Sequence, residues 1–221
     1  MSKPHYNVLI ATPGRLLHNA YVKSLIETTN WLNEQGLTYK FINAASSFVP
    51  QAREMTALDE QESNWETNAV GAGKYTYDKI FWIDSDISWS LEAFKKIYES
   101  EHDIVSGLYY TSVIDMTVSA SGFGPNGYPF TYKELDFFMV DEPIEVFGVG
   151  FGFVAMKYGV FELMPRPWFQ IQRVDWVEKR VVLDIGEDYS WCISARKCGF
   201  KIMLDSSVKV SHHKESEWYL R

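Results

Sequence analysis

The first half of the chain alternates short apolar runs with amphipathic segments. The apolar runs predict four strands, at residues 6–11, 39–42, 80–83 and 104–106. Hydrophobic residues recur at helical spacing over residues 20–35, a polar helical segment begins at Val49, and residues 91–99 predict a further short helix. Strands that alternate with helices favour an α/β fold, in which helices cover both faces of a central, mostly parallel sheet.

The second half has a less regular pattern. Its segment 122–129 is rich in glycine and proline and predicts a loop, and residues 145–157 contain two strand-like runs around three glycines. An irregular segment is predicted at 164–172, followed by a helix at 188–198 that ends at Gly199. Two short strands at 201–204 and 208–210 lead to a polar, mobile tail at 214–221.

Composition and charge narrow the class of protein. The chain has 221 residues, of which 46% are hydrophobic and 23% are charged, which is typical of one soluble globular domain. The formal net charge of -8 disfavours a nucleic-acid partner, and a phosphorylated ligand would need a local cation. We expect no membrane span and no signal region after Met1. Cys192 and Cys198 are expected to be free thiols of a cytoplasmic protein.

The acidic triplet Asp84-Ser85-Asp86 directly follows the third apolar run. In open parallel sheets, ligands bind beyond the carboxyl ends of the strands, and two carboxylates placed there can share a hard divalent cation. Such a cation stabilises a diphosphate as a leaving group. The alternative is that one aspartate caps the helix near Leu91 and the other is solvated. The position after a fully apolar strand favours the metal site.

Two further motifs carry chemistry only in combination with the triplet. Glu187 and Asp188 open a predicted helix, where they either interact with the helix dipole or supply a general base. His212 or His213 follows a short predicted strand and either completes a metal shell or lies on the surface. Neither motif decides the function alone.

Three other features each allow a functional and a structural interpretation. Gly150 lies in a glycine-rich run that either lets the backbone approach a ligand closely or marks a bulge. Trp168 and Phe169, beside two prolines, present an aromatic face to a sugar ring or belong to the core. Arg53 pairs with a phosphate or lies on a solvated helix face.

Taken in order, these motifs resemble those of the GT-A glycosyltransferases, especially short phage and bacterial members of the large inverting family. The matching segments, which cover nearly the whole chain, are residues 10–14, 43, 49–53, 81–87, 149–153, 167–169, 186–192 and 208–212. The family commonly has Asp where Asn43 stands and Gly where Ser211 stands. The resemblance implies one domain over residues 1–221. Its Rossmann-like half, which binds the nucleotide sugar, covers about 1–110, and its acceptor and catalytic half, with a smaller mixed sheet, covers about 111–213, before the polar tail at 214–221.

The resemblance also implies a role for each motif. Asp86, with His212, would ligate Mn²⁺ or Mg²⁺, and Asp84 would contact the ribose or, through water, the metal. Arg53 would offset the diphosphate charge. Asp188 would accept the proton of an acceptor hydroxyl, and direct attack would invert the anomeric carbon. The residues expected beside the nucleotide are Ala11, Thr12, Pro13, Asn43 and Ser85, and those expected beside the sugar or acceptor are Gly150, Trp168, Phe169 and Glu187.

The implied activity is transfer of a hexose from a nucleotide-diphosphate sugar, with UDP favoured, to a glycan or another hydroxyl acceptor. Three alternatives remain. A phosphatase of the haloacid dehalogenase class would use Asp84 as nucleophile, although its motif normally lies near the N-terminus. A sugar-nucleotide pyrophosphorylase would need a glycine-rich, basic first loop, which residues 12–15 match poorly. A non-catalytic sugar-binding module could share the fold.

Overall fold

The computed structural model describes residues 3–59, 67–124, 129–137, 142–176 and 181–213. The strands are β1 (His5–Pro13), β2 (Tyr39–Ala44), β3 (Thr76–Ile83), β4 (Ile87–Ser88), β5 (Ile104–Leu108), β6 (Tyr110–Ser112), β7 (Thr117–Phe123), β8 (Pro129–Lys133), β9 (Ile144–Val146), β10 (Gly148–Val149), β11 (Phe153–Lys157), β12 (Gln172–Trp176), β13 (Val181–Ile185), β14 (Ile202–Lys209) and β15 (Ser211–His212). The helices are α1 (Asn19–Glu34), α2 (Val49–Leu58), α3 (Leu91–Glu99), α4 (Val160–Leu163) and α5 (Glu187–Lys197), with short 3₁₀ helices at Val70–Gly73 and Glu134–Phe137.

A seven-stranded sheet forms the centre of the fold, in the order β2-β1-β3-β11-β5-β14-β9. β1 is parallel to β2 and β3, and β14 is parallel to β5, whereas β11 and β9 are antiparallel to their neighbours. All residues of 8–11 and 80–83 are 0% exposed, because one hydrophobic cluster covers each face of the sheet. The predicted α/β class with a mostly parallel sheet is confirmed.

Local sequence signals set the ends of the helices. α3 coincides with the predicted helix, and the Ser90 hydroxyl accepts a hydrogen bond of 3.1 Å from the backbone N–H of Ala93 in its first turn. The cap of α3 is therefore Ser90 and neither aspartate of the acidic triplet. α1 ends before Gly36, whose φ of 68° lies in the left-handed region that favours glycine.

The order of the strands in the central sheet does not follow their order along the chain. The fourth apolar run becomes β5, but β11, from the second half of the chain, lies between β3 and β5 and runs antiparallel to both. An apolar run predicts that a strand is buried and gives no information about which strand lies beside it. The neighbours of β3 could therefore not be predicted from periodicity.

Two further expectations about the second half are wrong. The loop expected at 122–129 is shorter, because both ends of this segment belong to strands. β7 extends to Phe123, which pairs with Pro129, the first residue of β8. The two strands expected at 201–204 and 208–210 are one strand, β14, whose register with β5 shifts between Leu204 and Lys209. The prediction for the tail at 214–221 falls outside the described residues.

A smaller sheet of β10, β7, β6 and β8 lies beside the central one, and its described pairings are all antiparallel, not mixed as expected. β1, β3, β5 and β14 end at one edge of the central sheet, and β11, which runs the opposite way, begins there. The segments beyond these strand ends therefore meet, and we call this the carboxyl edge. Of the helices in the described ranges, none has both the length and the apolar character that crossing a membrane requires.

Candidate active site

One guanidinium joins three carboxylates at the carboxyl edge. Arg53, on α2, is only 3% exposed. Its Nη1 lies 3.0 Å from Asp84 Oδ1, its Nε 3.3 Å from Glu187 Oε1 and its Nη2 3.3 Å from Asp188 Oδ1. The carboxylates come from the end of β3 and the start of α5. We call these four side chains the Arg53 cluster.

The charges in the Arg53 cluster shift the pKa values of its members. Burial alone would lower the pKa of Arg53, but Asp188, Asp84 and Glu187 raise it above its usual value. The pKa of Asp188 rises to about 6. Burial is the largest cause, the Arg53 charge opposes it, and the Asp84 and Glu187 charges add to it. A carboxylate with a pKa near neutrality is well suited to accept a proton as a general base.

The two oxygens of Asp188 have different surroundings. Oδ2 accepts a hydrogen bond of 3.1 Å from the backbone N–H of Phe151. Oδ1 is buried against Arg53 and has no hydrogen-bond partner within the described part of the chain. The side chain as a whole is 23% exposed, so the carboxylate is buried but still reachable. Asp188 also lies in the first turn of α5, where the helix dipole favours its ionised form.

Tyr109 lies at the centre of this site, and sequence reasoning does not identify it. Its hydroxyl accepts a hydrogen bond of 3.0 Å from Gly152 N, and its ring packs edge-on against His212, with 5.5 Å between centroids. A Cβ on Gly150 would lie 2.3 Å from the Tyr109 hydroxyl, and one on Gly152 would lie 2.6 Å from its ring. The glycines therefore leave room for Tyr109. Its position directly after β5, like that of Asp84 after β3, is the sequence signal that could have found it.

Burial raises the pKa of Tyr109 well above its usual value, and the nearby charges of Asp84 and Asp188 add to this rise. Tyr109 therefore stays a neutral hydroxyl at any physiological pH. Because Gly152 occupies one lone pair of this hydroxyl, its hydrogen remains a donor beside the carboxylates of the Arg53 cluster.

Asp86 and His212 form a second polar pair at the same edge. His212 Nε2 lies 3.1 Å from Asp86 Oδ2, and His212 Nδ1 lies 3.0 Å from the carbonyl oxygen of Tyr110. Because a carbonyl only accepts, Nδ1 carries a hydrogen and Nε2 faces the carboxylate. Either a second proton between the two atoms or a cation that both atoms coordinate from one side satisfies this arrangement, so the donor pair fits a divalent metal. Among the described residues, no group of three or more His, Cys, Asp or Glu side chains could hold a metal ion.

The structure distinguishes the two histidines. The His213 backbone N–H donates to the carbonyl oxygen of Asp86 at 2.8 Å, but its ring binds elsewhere: Nε2 lies 2.8 Å from the Ser88 hydroxyl, and the ring stacks on His18 with 4.3 Å between centroids. Of the two histidines considered for a metal shell, His212 is the one whose ring reaches Asp86. Its role as a ligand stays a prediction.

Asp84 and Arg53 are placed differently from the roles expected of them. Both oxygens of Asp84 lie on the guanidinium, with Oδ2 at 3.3 Å from Arg53 Nη2. The Arg53 side chain is 4% exposed and surrounded by carboxylates, so it does not present its charge to a diphosphate in solution. The expected phosphate contact of Arg53 is corrected to an internal one, because a buried guanidinium must be paired. The glutamate expected beside the acceptor, Glu187, also faces Arg53.

The segment expected beside the nucleotide is mostly buried. Ala11 and Thr12 are 0% exposed, and Pro13 is buried as well. The Thr12 hydroxyl is 2.5 Å from the hydroxyl of Tyr21. Any contact of residues 11–13 with a nucleotide stays a prediction, because backbone and side chains are both buried here.

Asn43 fastens the loop after β1. Its amide nitrogen donates to the carbonyl oxygens of Thr12 and Gly14, at 2.5 and 2.9 Å. Both amide hydrogens are thereby used, so any contact of Asn43 with a nucleotide would be through Oδ1. Ser85 also belongs to this loop region, since its carbonyl oxygen accepts a hydrogen bond of 2.9 Å from His18 N.

Trp168 and Phe169 do not form an aromatic face for a sugar. They are 1% and 4% exposed, and the Trp168 indole donates to the carbonyl oxygen of Phe161 at 3.0 Å. Glu54, the neighbour of Arg53 on α2, accepts the backbone N–H groups of both residues at 3.1 and 3.3 Å. The expectation is corrected: these bonds fold the segment onto the core.

An open cleft of about 770 Å³ borders the acidic triplet. Its lining residues are Leu16, Leu17, His18, Asn19, Ser85, Asp86 and His213. The cleft thus lies between the β1–α1 loop and the exposed side of Asp86, whose side chain is 42% exposed.

The fold has relatives among solved structures. A197 from STIV superposes on 97% of this chain and 87% of its own, with a TM-score of 0.51 and 19% identity. GalNAc-T7, in a crystal structure with UDP, GalNAc and Mn²⁺, superposes on 97% of this chain with a TM-score of 0.52 and 11% identity, and this chain spans 44% of its length. The chain has the GT-A glycosyltransferase fold, as the sequence motifs predict. No protein-family model and no curated protein sequence matches it.

Proposed function

We propose that this protein is a glycosyltransferase that moves a hexose from a nucleotide-diphosphate sugar, with UDP favoured, to an acceptor hydroxyl. The observation that carries the proposal is Asp188, a reachable carboxylate with its pKa raised to about 6, at the same sheet edge as the Asp86–His212 pair. A base and a candidate metal pair at one edge of a GT-A fold are what this reaction needs. GalNAc-T7, which shares the fold, was crystallised with UDP and Mn²⁺.

In the proposed reaction Asp188 accepts the proton of the acceptor hydroxyl. We assign the proton to Oδ2, since Oδ1 is buried against Arg53. As the O–H bond breaks, the acceptor oxygen forms a bond to the anomeric carbon, and the bond from that carbon to the diphosphate oxygen breaks. The nucleoside diphosphate leaves with that electron pair. Because the oxygen attacks opposite the leaving group, the product has inverted configuration.

Asp86 and His212 are the residues that would hold Mn²⁺ or Mg²⁺. Their carboxylate oxygen and imidazole nitrogen lie 3.1 Å apart, and the Tyr110 carbonyl fixes the histidine ring. When bound, the metal would supply positive charge to the diphosphate leaving group. The cleft between the β1–α1 loop and Asp86 is the proposed place of the donor, with Ser85 in its lining.

A thermal-shift panel tests the proposal most directly. UDP-, GDP-, CMP- and dTDP-sugars are added with Mn²⁺, with Mg²⁺ and with EDTA. We expect one base and sugar to raise the melting temperature in a metal-dependent way, because a ligand that binds the folded state stabilises it. A panel in which every nucleotide sugar leaves the melting temperature unchanged contradicts the proposal.

Two activity assays separate the alternatives. Stabilisation by a donor without release of nucleotide in the presence of a broad acceptor mixture would indicate a sugar-binding module. Phosphate release from an aryl phosphate would indicate a phosphatase, but both oxygens of Asp84 pair with Arg53, which disfavours it as a nucleophile. We also propose a cytoplasmic location, which the two unpaired cysteines, Cys192 and Cys198, support.

A further inference from the structure

We propose that Arg53 is a positioning residue that ties the donor end of the site to its acceptor end, because one guanidinium is shared by Asp84 and Asp188. The inference rests on the proposed function for the roles of these two carboxylates. Asp84 follows β3, next to the cleft proposed for the donor, whereas Asp188 lies in the first turn of α5 and is the proposed base. Arg53 contacts both, from a third element.

The geometry of the guanidinium supports a positioning role. Its three nitrogens each face a carboxylate oxygen, at 3.0 to 3.3 Å, and these oxygens come from two segments about a hundred residues apart in the chain. The planar fork of arginine is suited to such multiple contacts, which a lysine ammonium cannot reproduce. The ring of Phe151 lies 5.4 Å from the guanidinium carbon, and Phe151 is also the residue whose backbone N–H binds Asp188.

Arg53 cannot swing out to serve as an ordinary phosphate contact. Its side chain is 4% exposed, and α2 is held in place by the next residue, Glu54. Glu54 forms a 2.7 Å ion pair with Arg166 and accepts the backbone N–H of Trp168. The guanidinium therefore acts on substrate only through the carboxylates that it orients.

The cluster is also unbalanced in charge, since three carboxylates share one guanidinium. The Asp84 and Glu187 charges raise the pKa of Asp188, whereas the Arg53 charge lowers it. Arg53 therefore affects both the position and the basicity of the proposed base.

Variants of Arg53 test the proposal by kinetics. Arg53→Lys keeps the charge and removes the fork, and Arg53→Gln removes both. We expect both to lower kcat by about 10- to 100-fold, because a misplaced base loses its alignment. The affinity for UDP with Mn²⁺, measured by calorimetry, should fall as well, because the same guanidinium orients Asp84. Arg166→Lys, which changes an equally buried arginine outside the cluster, should leave kcat unchanged. Wild-type kcat in a folded Arg53→Lys would overturn the proposal.

An NMR titration tests it without any turnover. The backbone amide of Phe151 donates to Asp188, so its chemical shift reports the ionisation of that carboxylate. We expect a midpoint near pH 6 in the wild type. The midpoint should move upward in Arg53→Gln, and the amide shift should change in Arg53→Lys with little change in midpoint. In Asp188→Asn the titration should vanish, which verifies the reporter.

The outcomes distinguish the two proposals. If no nucleotide sugar is turned over by the wild type but the Phe151 amide responds to both Arg53 variants, the proposed function fails and the positioning role stands. If turnover is found but a folded Arg53→Lys keeps both its kcat and the wild-type amide shift, Arg53 is a structural residue only. Should Arg53→Gln not fold, Arg53→Lys alone decides between these results.

Discussion

Replacing Asp188 with Asn changes one carboxylate of the Arg53 cluster into a neutral amide of nearly the same shape. The amide oxygen can still accept the Phe151 N–H, so this contact is retained. It cannot take up the acceptor proton. We expect donor binding to persist and transfer to fall by about 10²- to 10⁴-fold, the usual contribution of a general base.

The same substitution should stabilise the protein, in a pH-dependent way. An aspartate in an unfolded chain ionises near pH 3.9, about its usual value, whereas the pKa of Asp188 in the folded protein is about 6. Between these values the folded state binds more protons than the unfolded state, so the wild type loses stability as pH rises. The loss levels off above pH 6, at about 3 kcal/mol or less. Because Asn cannot ionise, Asp188→Asn should recover this amount at pH 8 and almost none near pH 4.

Urea unfolding of both proteins across pH 4 to 8 measures this difference. Asp184→Asn is a matched control, because Asp184 pairs with Arg173 on an exposed hairpin and its pKa is lowered by that hydrogen bond. The control should lose stability or remain unchanged at pH 8. A gain for Asp188→Asn that does not depend on pH, or a loss at pH 8, would refute the electrostatic account of this site.

Three further perturbations test separate parts of the site. His212→Ala should lower the affinity for Mn²⁺ by about tenfold or more. In a thermal-shift titration it should therefore need more Mn²⁺ before UDP raises the melting temperature, whereas His213→Ala should behave as the wild type. Gly150→Ala should destabilise the fold by about 1–3 kcal/mol, because its new Cβ would meet the Tyr109 hydroxyl. Adding Tyr109→Phe removes that hydroxyl and should recover part of the loss. The same second change should not rescue Gly152→Ala, whose Cβ would meet the ring, and equal rescue would contradict the contact geometry. Trp168→Phe should lower stability by about 1–3 kcal/mol without changing the KM for donor, and a raised KM would restore a sugar-binding role for this residue.

The sequence predicts well where burial dictates residue type. The run Ile80–Phe81–Trp82–Ile83 had to be a strand covered on both faces, since no polar position interrupts it. α3 follows from a serine cap and helical spacing, both local signals. The meeting of Asp84, Asp188 and His212 at one edge follows once each is placed at the end of its strand or the start of its helix.

The errors arise where the outcome depends on neighbours that sequence spacing does not specify. A tryptophan beside prolines has the same pattern whether it faces a sugar or the core, and the deciding partner, Glu54, is more than a hundred residues away. Arg53 on a polar helix has the pattern of a solvated or phosphate-binding residue. Its burial is set by carboxylates that α5 brings from the other half of the chain. Tyr109 is missed because a tyrosine after an apolar strand is common in cores.

Arg53 and Glu54, which are neighbours on α2, have different roles: Glu54 stabilises the fold, and Arg53 acts on the proposed base. Glu54 faces one cation, Arg166, and two backbone N–H groups, so its charge is matched and its role is to hold residues 166–169. Arg53 faces three carboxylates, so its cluster has more negative than positive charge. A buried charge that is fully matched stabilises one conformation, whereas an unmatched cluster shifts a pKa into the range used for proton transfer. Changes at Glu54 should therefore alter stability first, and changes at Arg53 should alter the pH dependence of activity first.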